Sequence, residues 1–70
     1  MDISFSNNKI TELRKEKNLS QRQLAKEIGT SQANLSRWEQ GKILPSILEC
    51  WRLAEYFGVT IDELCGKKDY

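Results

Sequence analysis

Apolar residues recur every three or four positions in five separate stretches of this chain, which is the spacing of one face of an α-helix. No strand is predicted, and no internal repeat or low-complexity tract interrupts the pattern. Seventy residues are enough for one small core. The pattern therefore predicts an all-α, five-helix single domain over residues 1–70, with a core at about 7–66.

The clearest stretch, residues 20–41, contains two short amphipathic helices joined by a turn. Gly29 separates them, because glycine leaves a helix through a left-handed conformation without a Cβ clash. Ser31 is placed to cap the second helix. Periodicity alone is equally compatible with an ordinary helical hairpin, so the outward residues have to distinguish the two interpretations. The apolar residues that predict the two facing surfaces are Leu24, Ala25 and Ile28 on one helix and Leu35 and Trp38 on the other.

The flanking helices follow from the same spacing. The first is expected to begin near residues 6–8, to end at residue 17 and to leave through Asn18. The fourth is expected at 46–57, after a loop that contains Pro45, and Gly58 ends it. Thr60 caps a last short helix. The residues predicted to face inward are Ile10, Leu13, Leu19, Ile47, Cys50, Leu53, Ala54, Phe57, Ile61 and Leu64.

The helix after Gly29 presents an unusual outer face. A rotation of about 100° per residue places small, amide and guanidinium side chains opposite Leu35, and no carboxylate. Amide and guanidinium groups match the donors and acceptors of base edges in the major groove of DNA, and a small side chain allows close approach. The outward residues are Gln32, Ala33, Ser36, Arg37 and Gln40.

The segment LRKEKNLSQRQLAKEIGTSQANLSRWEQGK resembles the Cro/C1-type helix-turn-helix family of phage repressors and bacterial regulators. The resemblance extends over about residues 7–66 through Pro45, LAEYFGV and IDEL, in the order and spacing of the family. It implies a compact lambda-repressor-like fold in which the second and third helices form the helix-turn-helix. It further implies a cytoplasmic transcriptional regulator of bacterial or phage origin, expected to be a repressor.

The resemblance also assigns roles to individual residues. Arg37 is expected to be the most specific reader of bases, since a guanidinium pairs in a bidentate manner with guanine. The alternative is that Arg37 binds only phosphate or a carboxylate of its own chain. Ala33 departs from members with Gln at that position, which leaves a methyl contact there. Base contacts are implied for Gln32, Ala33, Ser36 and Arg37, and phosphate contacts for Gln21, Arg22, Ser31, Asn34, Lys42 and Arg14.

Other residues are assigned to structure and assembly. Arg14 and Glu39 match a structural ion pair of the family, and Trp38 is expected in the core. Trp51 is expected either to lie at the edge of the core or to form an apolar contact with another subunit. Two copies are expected to bind a palindromic double-stranded DNA site as a homodimer. The recognition helix, which is the third helix, covers too few base pairs to single out one site by itself. The expected dimer surface comprises Trp51, Gly58, Val59, Ile61 and Leu64, with help from residues 67–70.

Charge and composition refine this view. The net charge is only +1, but residues 1–42 carry +3 and residues 43–70 carry −2, so the basic part contains the helix pair. Two cysteines and no histidine indicate no disulfide framework, no metal site and no cofactor. The sequence has no signal peptide or membrane segment and no nucleophile-base motif, which argues against a membrane protein and an enzyme. The alternative function is a protein-interaction module, such as an antitoxin or anti-regulator.

Overall fold

The computed structural model describes residues 8–66, and all regular structure in that range is helical. The all-α, five-helix prediction is confirmed. The helices pack around one core, with α2 against α3 and α4, α1 against α3, and α5 against α4. Their bounds are Ile10–Glu16 (α1), Gln21–Ile28 (α2), Gln32–Glu39 (α3), Ile47–Phe57 (α4) and Ile61–Leu64 (α5).

Local sequence signals set most helix ends. The Ser20 hydroxyl accepts a hydrogen bond from the Gln23 N–H at 3.0 Å, and the Gln23 side chain accepts one from the Ser20 N–H at 2.8 Å. Such reciprocal caps satisfy backbone donors that a helix leaves unpaired. Gly29, which ends α2, has φ 85°, where glycine avoids the Cβ penalty. Matching reciprocal caps begin α4, with Ser46 and Glu49, and α5, with Thr60 and Glu63.

The first helix is shorter than the sequence predicts. It begins at Ile10, whose N–H donates to the Asn8 side-chain oxygen at 3.0 Å. The Lys9 N–H donates at 2.8 Å to the carbonyl of Leu64, at the end of α5. The start therefore depends on a long-range contact that sequence spacing does not reveal. Asn18 leaves α1 with φ 57°, as expected, while the earlier part of the predicted start lies outside the described residues.

The core is built from the predicted apolar stripes. Trp38 is 2% exposed, so its assignment to the core is confirmed. Leu13, Leu19, Cys50 and Phe57 are partly buried and pack against the core. The fully buried large side chains comprise Trp38 together with Ile10, Leu24, Leu35, Leu53 and Leu64.

Two inward-facing predictions are wrong. Ile47 is 83% exposed and Ile61 is 41% exposed. Ile47 lies seven positions before the buried Ala54, on the same side of α4, so helical spacing alone does not account for its exposure. Both isoleucines are the first residues of their helices, and the described part of the chain leaves Ile47 largely and Ile61 partly uncovered.

Candidate nucleic-acid interface

Helix α3 has two chemically different sides. Leu35 and Trp38 face the core, whereas Ala33 and Arg37 on the other side are exposed. Gln32 and Gln40 are also exposed, and Asn34 and Ser36 are partly buried. The structure thus brings the four predicted base-contacting residues, Gln32, Ala33, Ser36 and Arg37, to one outward surface of α3.

Hydrogen bonds between neighbouring turns order this surface. The Gln40 amide nitrogen donates to the Ser36 hydroxyl at 2.8 Å. Arg37 donates from Nη1 to the Asn34 side-chain oxygen at 3.4 Å, and the Asn34 amide nitrogen donates to the Thr30 hydroxyl at 3.4 Å. Among residues 8–66, Arg37 forms no ion pair. Its guanidinium therefore keeps donors available to an external partner, in contrast to the alternative of pairing with a carboxylate of its own chain.

The predicted phosphate-contacting residues lie around the start of α2 and both ends of α3. Arg22 and Lys42 are exposed, and the first turn of α2 contains no acidic residue. The Ser31 hydroxyl accepts from the Asn34 N–H at 3.0 Å and so caps α3. The positive ends of both helices, which attract anions, are consequently free of a competing carboxylate in their first turns.

The carboxylate of Glu39 points away from this surface into a network of hydrogen bonds. Arg14 donates from Nε to Glu39 Oε2 at 2.7 Å and from Nη2 to Glu39 Oε1 at 3.2 Å. The Arg14 and Glu39 side chains are only 12% and 5% exposed. The predicted pair is therefore present as a largely buried, bidentate ion pair between α1 and α3.

Two further residues complete the network. The Thr11 hydroxyl donates to Glu39 Oε1 at 2.8 Å, and the Gln21 amide nitrogen donates to the same oxygen at 3.1 Å. Thr11 is not among the predicted site residues, although its position three residues before Arg14 places it on the same face of a helix. The internal bond of Gln21 is not predictable from the sequence pattern, because that contact joins residues far apart in the chain.

Arg14, for which a phosphate contact is also predicted, has most of its donors engaged within the chain. Its Nη1 donates to the Leu19 carbonyl at 2.8 Å, while its other two nitrogens bind Glu39. All three guanidinium nitrogens therefore have internal partners. With the side chain 12% exposed, Arg14 serves chiefly as the partner of Glu39, and a phosphate contact would have to use the two N–H groups that remain.

The environment of Glu39 shifts its pKa. Burial acts to raise the pKa of this carboxyl, but hydrogen bonds from Arg14, Gln21 and Thr11 and the Arg14 charge outweigh burial. The net pKa lies below the ordinary value, so Glu39 stays ionised at neutral pH.

Both cysteines are partly buried against the core. Burial raises the pKa of the Cys50 and Cys65 thiols, with smaller contributions from neighbouring negative charge. A raised pKa lowers the fraction of reactive thiolate. The packing supports the expectation that Cys50 is a small apolar residue of the core.

The predicted dimer surface is only partly available. Trp51 is 58% exposed and Gly58 is exposed, but Val59 is partly buried. Leu64 is 0% exposed, so its assignment to this surface is wrong: it packs with the core at the end of α5. The contribution predicted for residues 67–70 lies outside the described residues.

Within residues 8–66, none of the helices combines the length and the apolar composition needed to cross a lipid bilayer.

Comparisons with known proteins agree with this geometry. A family model described as helix-turn-helix matches residues 10–64. The chain is 43% identical over 63 residues to the HTH-type transcriptional activator BcrR of Enterococcus faecalis, covering 90% of this chain and 31% of that protein. It is 39% identical over 54 residues to the cryptic phage CTXphi transcriptional repressor RstR of Vibrio cholerae, covering 77% of this chain and 48% of that protein. The chain thus spans less than half the length of either relative.

The fold is similar to a solved structure of the P22 c2 repressor in complex with a synthetic operator. The TM-score is 0.82, with 23% identity, and the match covers 93% of this chain and 97% of the other. This likeness confirms the lambda-repressor-like arrangement of the five helices.

Proposed function

This chain belongs to the Cro/C1-type helix-turn-helix family, and we propose that it is a transcriptional regulator that binds double-stranded DNA in a sequence-specific manner. In the proposed complex, α3 lies in the major groove. Its base-contacting residues are Gln32, Ala33, Ser36 and Arg37.

The observation that carries the proposal is the outward face of α3. Glu39, the only acidic residue of that helix, points inward and is neutralised by Arg14. The outward face therefore presents no negative charge to the DNA backbone. Arg37 contributes donors that can bind guanine O6 and N7 in a bidentate manner, which is a common specific contact in the major groove.

Phosphate contacts would position α3 on the duplex. The Gln21 amide nitrogen has two hydrogens, and the bond to Glu39 uses one of them, so the second remains available to a phosphate oxygen. The network around Glu39 would then orient Gln21 as well as join α1 to α3. The residues proposed for phosphate contact are Gln21, Arg22, Ser31, Asn34, Lys42 and, through its remaining N–H groups, Arg14.

Two copies of the chain would bind one palindromic site. One recognition helix contacts only a few base pairs, so a unique site needs two helices about 34 Å apart in successive major grooves. We further propose that the outcome of binding is repression, which fits the repressor among the relatives, and that the chain acts in the cytoplasm.

Selection of binding sites from random duplexes tests the proposal, because it reports binding, sequence and half-site spacing together. Arg37→Ala should relax the preference at one base pair and cost about 1 to 3 kcal/mol. Lys42→Ala should weaken all sequences similarly and lower the salt slope by about one unit. An unchanged site profile for Arg37→Ala would contradict the assignment. No DNA binding at low salt, together with tight one-to-one binding to another protein, would favour an antitoxin or anti-regulator instead.

A further inference from the structure

An apolar patch on α4 and the loop before it remains exposed. Leu44 is 71% exposed, Ile47 83%, Leu48 56% and Trp51 58%. We call these four residues the α4 patch. Ile43, beside it in the loop, is 41% exposed. Scattered single apolar residues are normal on a protein surface, but several adjacent ones mark a contact site.

Three of the four residues of the patch are neighbours on the surface of α4. Trp51 follows Ile47 by four positions and Leu48 by three, so all three lie on one side of the first two turns of α4. Leu44 directly precedes the capping segment of the same helix. In residues 8–66 these side chains stay more than half exposed, although Ala54, seven positions after Ile47 on the same side of α4, is buried.

We propose that the α4 patch is the surface through which two copies of this chain contact each other. The inference rests on the proposed function, in which two copies occupy one DNA site. It replaces the surface that the sequence predicts around residues 58–64, where Leu64 is buried and Val59 is partly buried. Ile61 is the only large apolar side chain that this other surface exposes within the described residues.

The size of the patch suits a second copy held together by DNA. The four side chains expose on the order of 500 Å², near the upper end of the largest apolar patch on a typical monomer. A stable interface buries about 800 Å² on each partner, so this patch alone would give weak association. Binding to a shared DNA site would raise the effective concentration of the two copies and complete the dimer.

The charges beside the patch suit an interface between identical surfaces. Arg52 and Glu55 are exposed on the next turn of α4, and neither forms an ion pair with another residue of 8–66. A two-fold interface brings the same surface of both copies together, so a surface with both signs of charge can pair Arg52 of one copy with Glu55 of the other.

The dimensions of the chain also agree. The Cα atoms extend over 34 × 23 × 20 Å. The longest of these dimensions is comparable to the spacing of about 34 Å between successive major grooves, so two copies in contact are large enough to reach both grooves.

The test compares Ile47→Glu with Ile61→Glu, two changes of an exposed isoleucine at the start of a helix. Circular dichroism and urea unfolding should show both variants folded, because neither side chain is in the core. Sedimentation equilibrium at millimolar protein measures self-association without DNA. Titrations with a selected duplex carrying one or two half-sites then separate contact with DNA from contact between copies.

The proposal expects Ile47→Glu to abolish self-association and to weaken two-site binding by roughly tenfold or more, with binding to one half-site unchanged. Ile61→Glu should behave like the parent in all three measurements. Loss of cooperativity in Ile61→Glu but not in Ile47→Glu would overturn the proposal in favour of the other surface. Equal cooperativity in both variants and the parent would also overturn it.

Failure of the DNA-binding proposal is distinguishable from failure of this one. If the parent binds no duplex, sedimentation equilibrium alone tests whether the α4 patch joins two copies. Self-association that Ile47→Glu removes would then support the α4 patch without DNA, whereas a monomeric parent at millimolar concentration would refute it.

Discussion

Removal of Glu39 should destabilise the fold through the residues that it leaves without a partner. In Glu39→Ala, the hydrogen bonds from Thr11, Arg14 and Gln21 lose their acceptor. Arg14, whose side chain is 12% exposed, would then carry an uncompensated charge. Breaking one side of a buried pair costs about 3 to 5 kcal/mol, and we expect a value near the lower end because the pair lies at the edge of the core.

That cost is large for a chain of this size. Domains have about 0.05 to 0.15 kcal/mol of stability per residue, so seventy residues provide roughly 4 to 10 kcal/mol. A loss of about 3 kcal/mol should lower the melting temperature by roughly 12 to 24 °C. Urea unfolding measures the effect directly, with the fluorescence of the buried Trp38 reporting loss of the core.

A double-mutant cycle isolates the pair. In an Arg14→Met background no buried guanidinium is left unpaired, so Glu39→Ala should cost about 1.5 to 3 kcal/mol less than in the parent. The matched control is Glu27→Ala, because Glu27 is exposed and should change stability by less than about 0.5 kcal/mol in either background. Additive effects of Arg14→Met and Glu39→Ala would refute the reasoning.

Three other outcomes follow from the same structure. Because the folded pKa of Glu39 is lowered, its contribution to stability is fully present above the unfolded pKa of about 4.3 and is lost as pH falls through the folded pKa. The urea midpoint should therefore fall more steeply between pH 6 and pH 2 in the parent than in Glu39→Gln. Parallel curves for the two proteins would contradict this. Leu53→Ala should cost about 2 to 5 kcal/mol in urea unfolding, whereas Ile47→Ala should cost less than about 0.5 kcal/mol, and similar losses would contradict the burial of only one of them. Insertion of about five base pairs between half-sites should abolish cooperative binding in gel-shift titrations, since it rotates the sites to opposite faces of the duplex; unchanged affinity with a one-chain footprint would refute the dimer.

Local signals made most of the helix pair predictable. Ser20, Gly29 and Ser31 act within a few residues of their own position, through capping bonds and a left-handed conformation that depend on little else. The apolar stripe of α2 and α3 is similarly local, because helical spacing alone determines which residues share a face. Where the chemistry is local, the prediction and the structure agree.

Contacts between distant parts of the chain account for the errors. Ile47 and Leu64 are both apolar and lie at helical spacing, yet Ile47 is exposed, whereas Leu64 is buried in the core where α5 packs against α4. The bond from Gln21 to Glu39 joins α2 to α3, and the bond from Thr11 to Glu39 joins α1 to α3. Periodicity within one helix contains no information about such contacts between helices.

The hydrogen bond between Lys9 and Leu64 has a consequence for how this domain can be connected to others. It brings the beginning of α1 and the end of α5 within 2.8 Å, so the described part of the chain forms a nearly closed loop. A segment fused before residue 8 and one fused after residue 66 would leave the domain from neighbouring points. Closely spaced ends also suit circular permutation, in which a short linker joins them and new termini open in an exposed loop. Architectures with additional modules at either end can therefore share the same recognition surface without rearranging it.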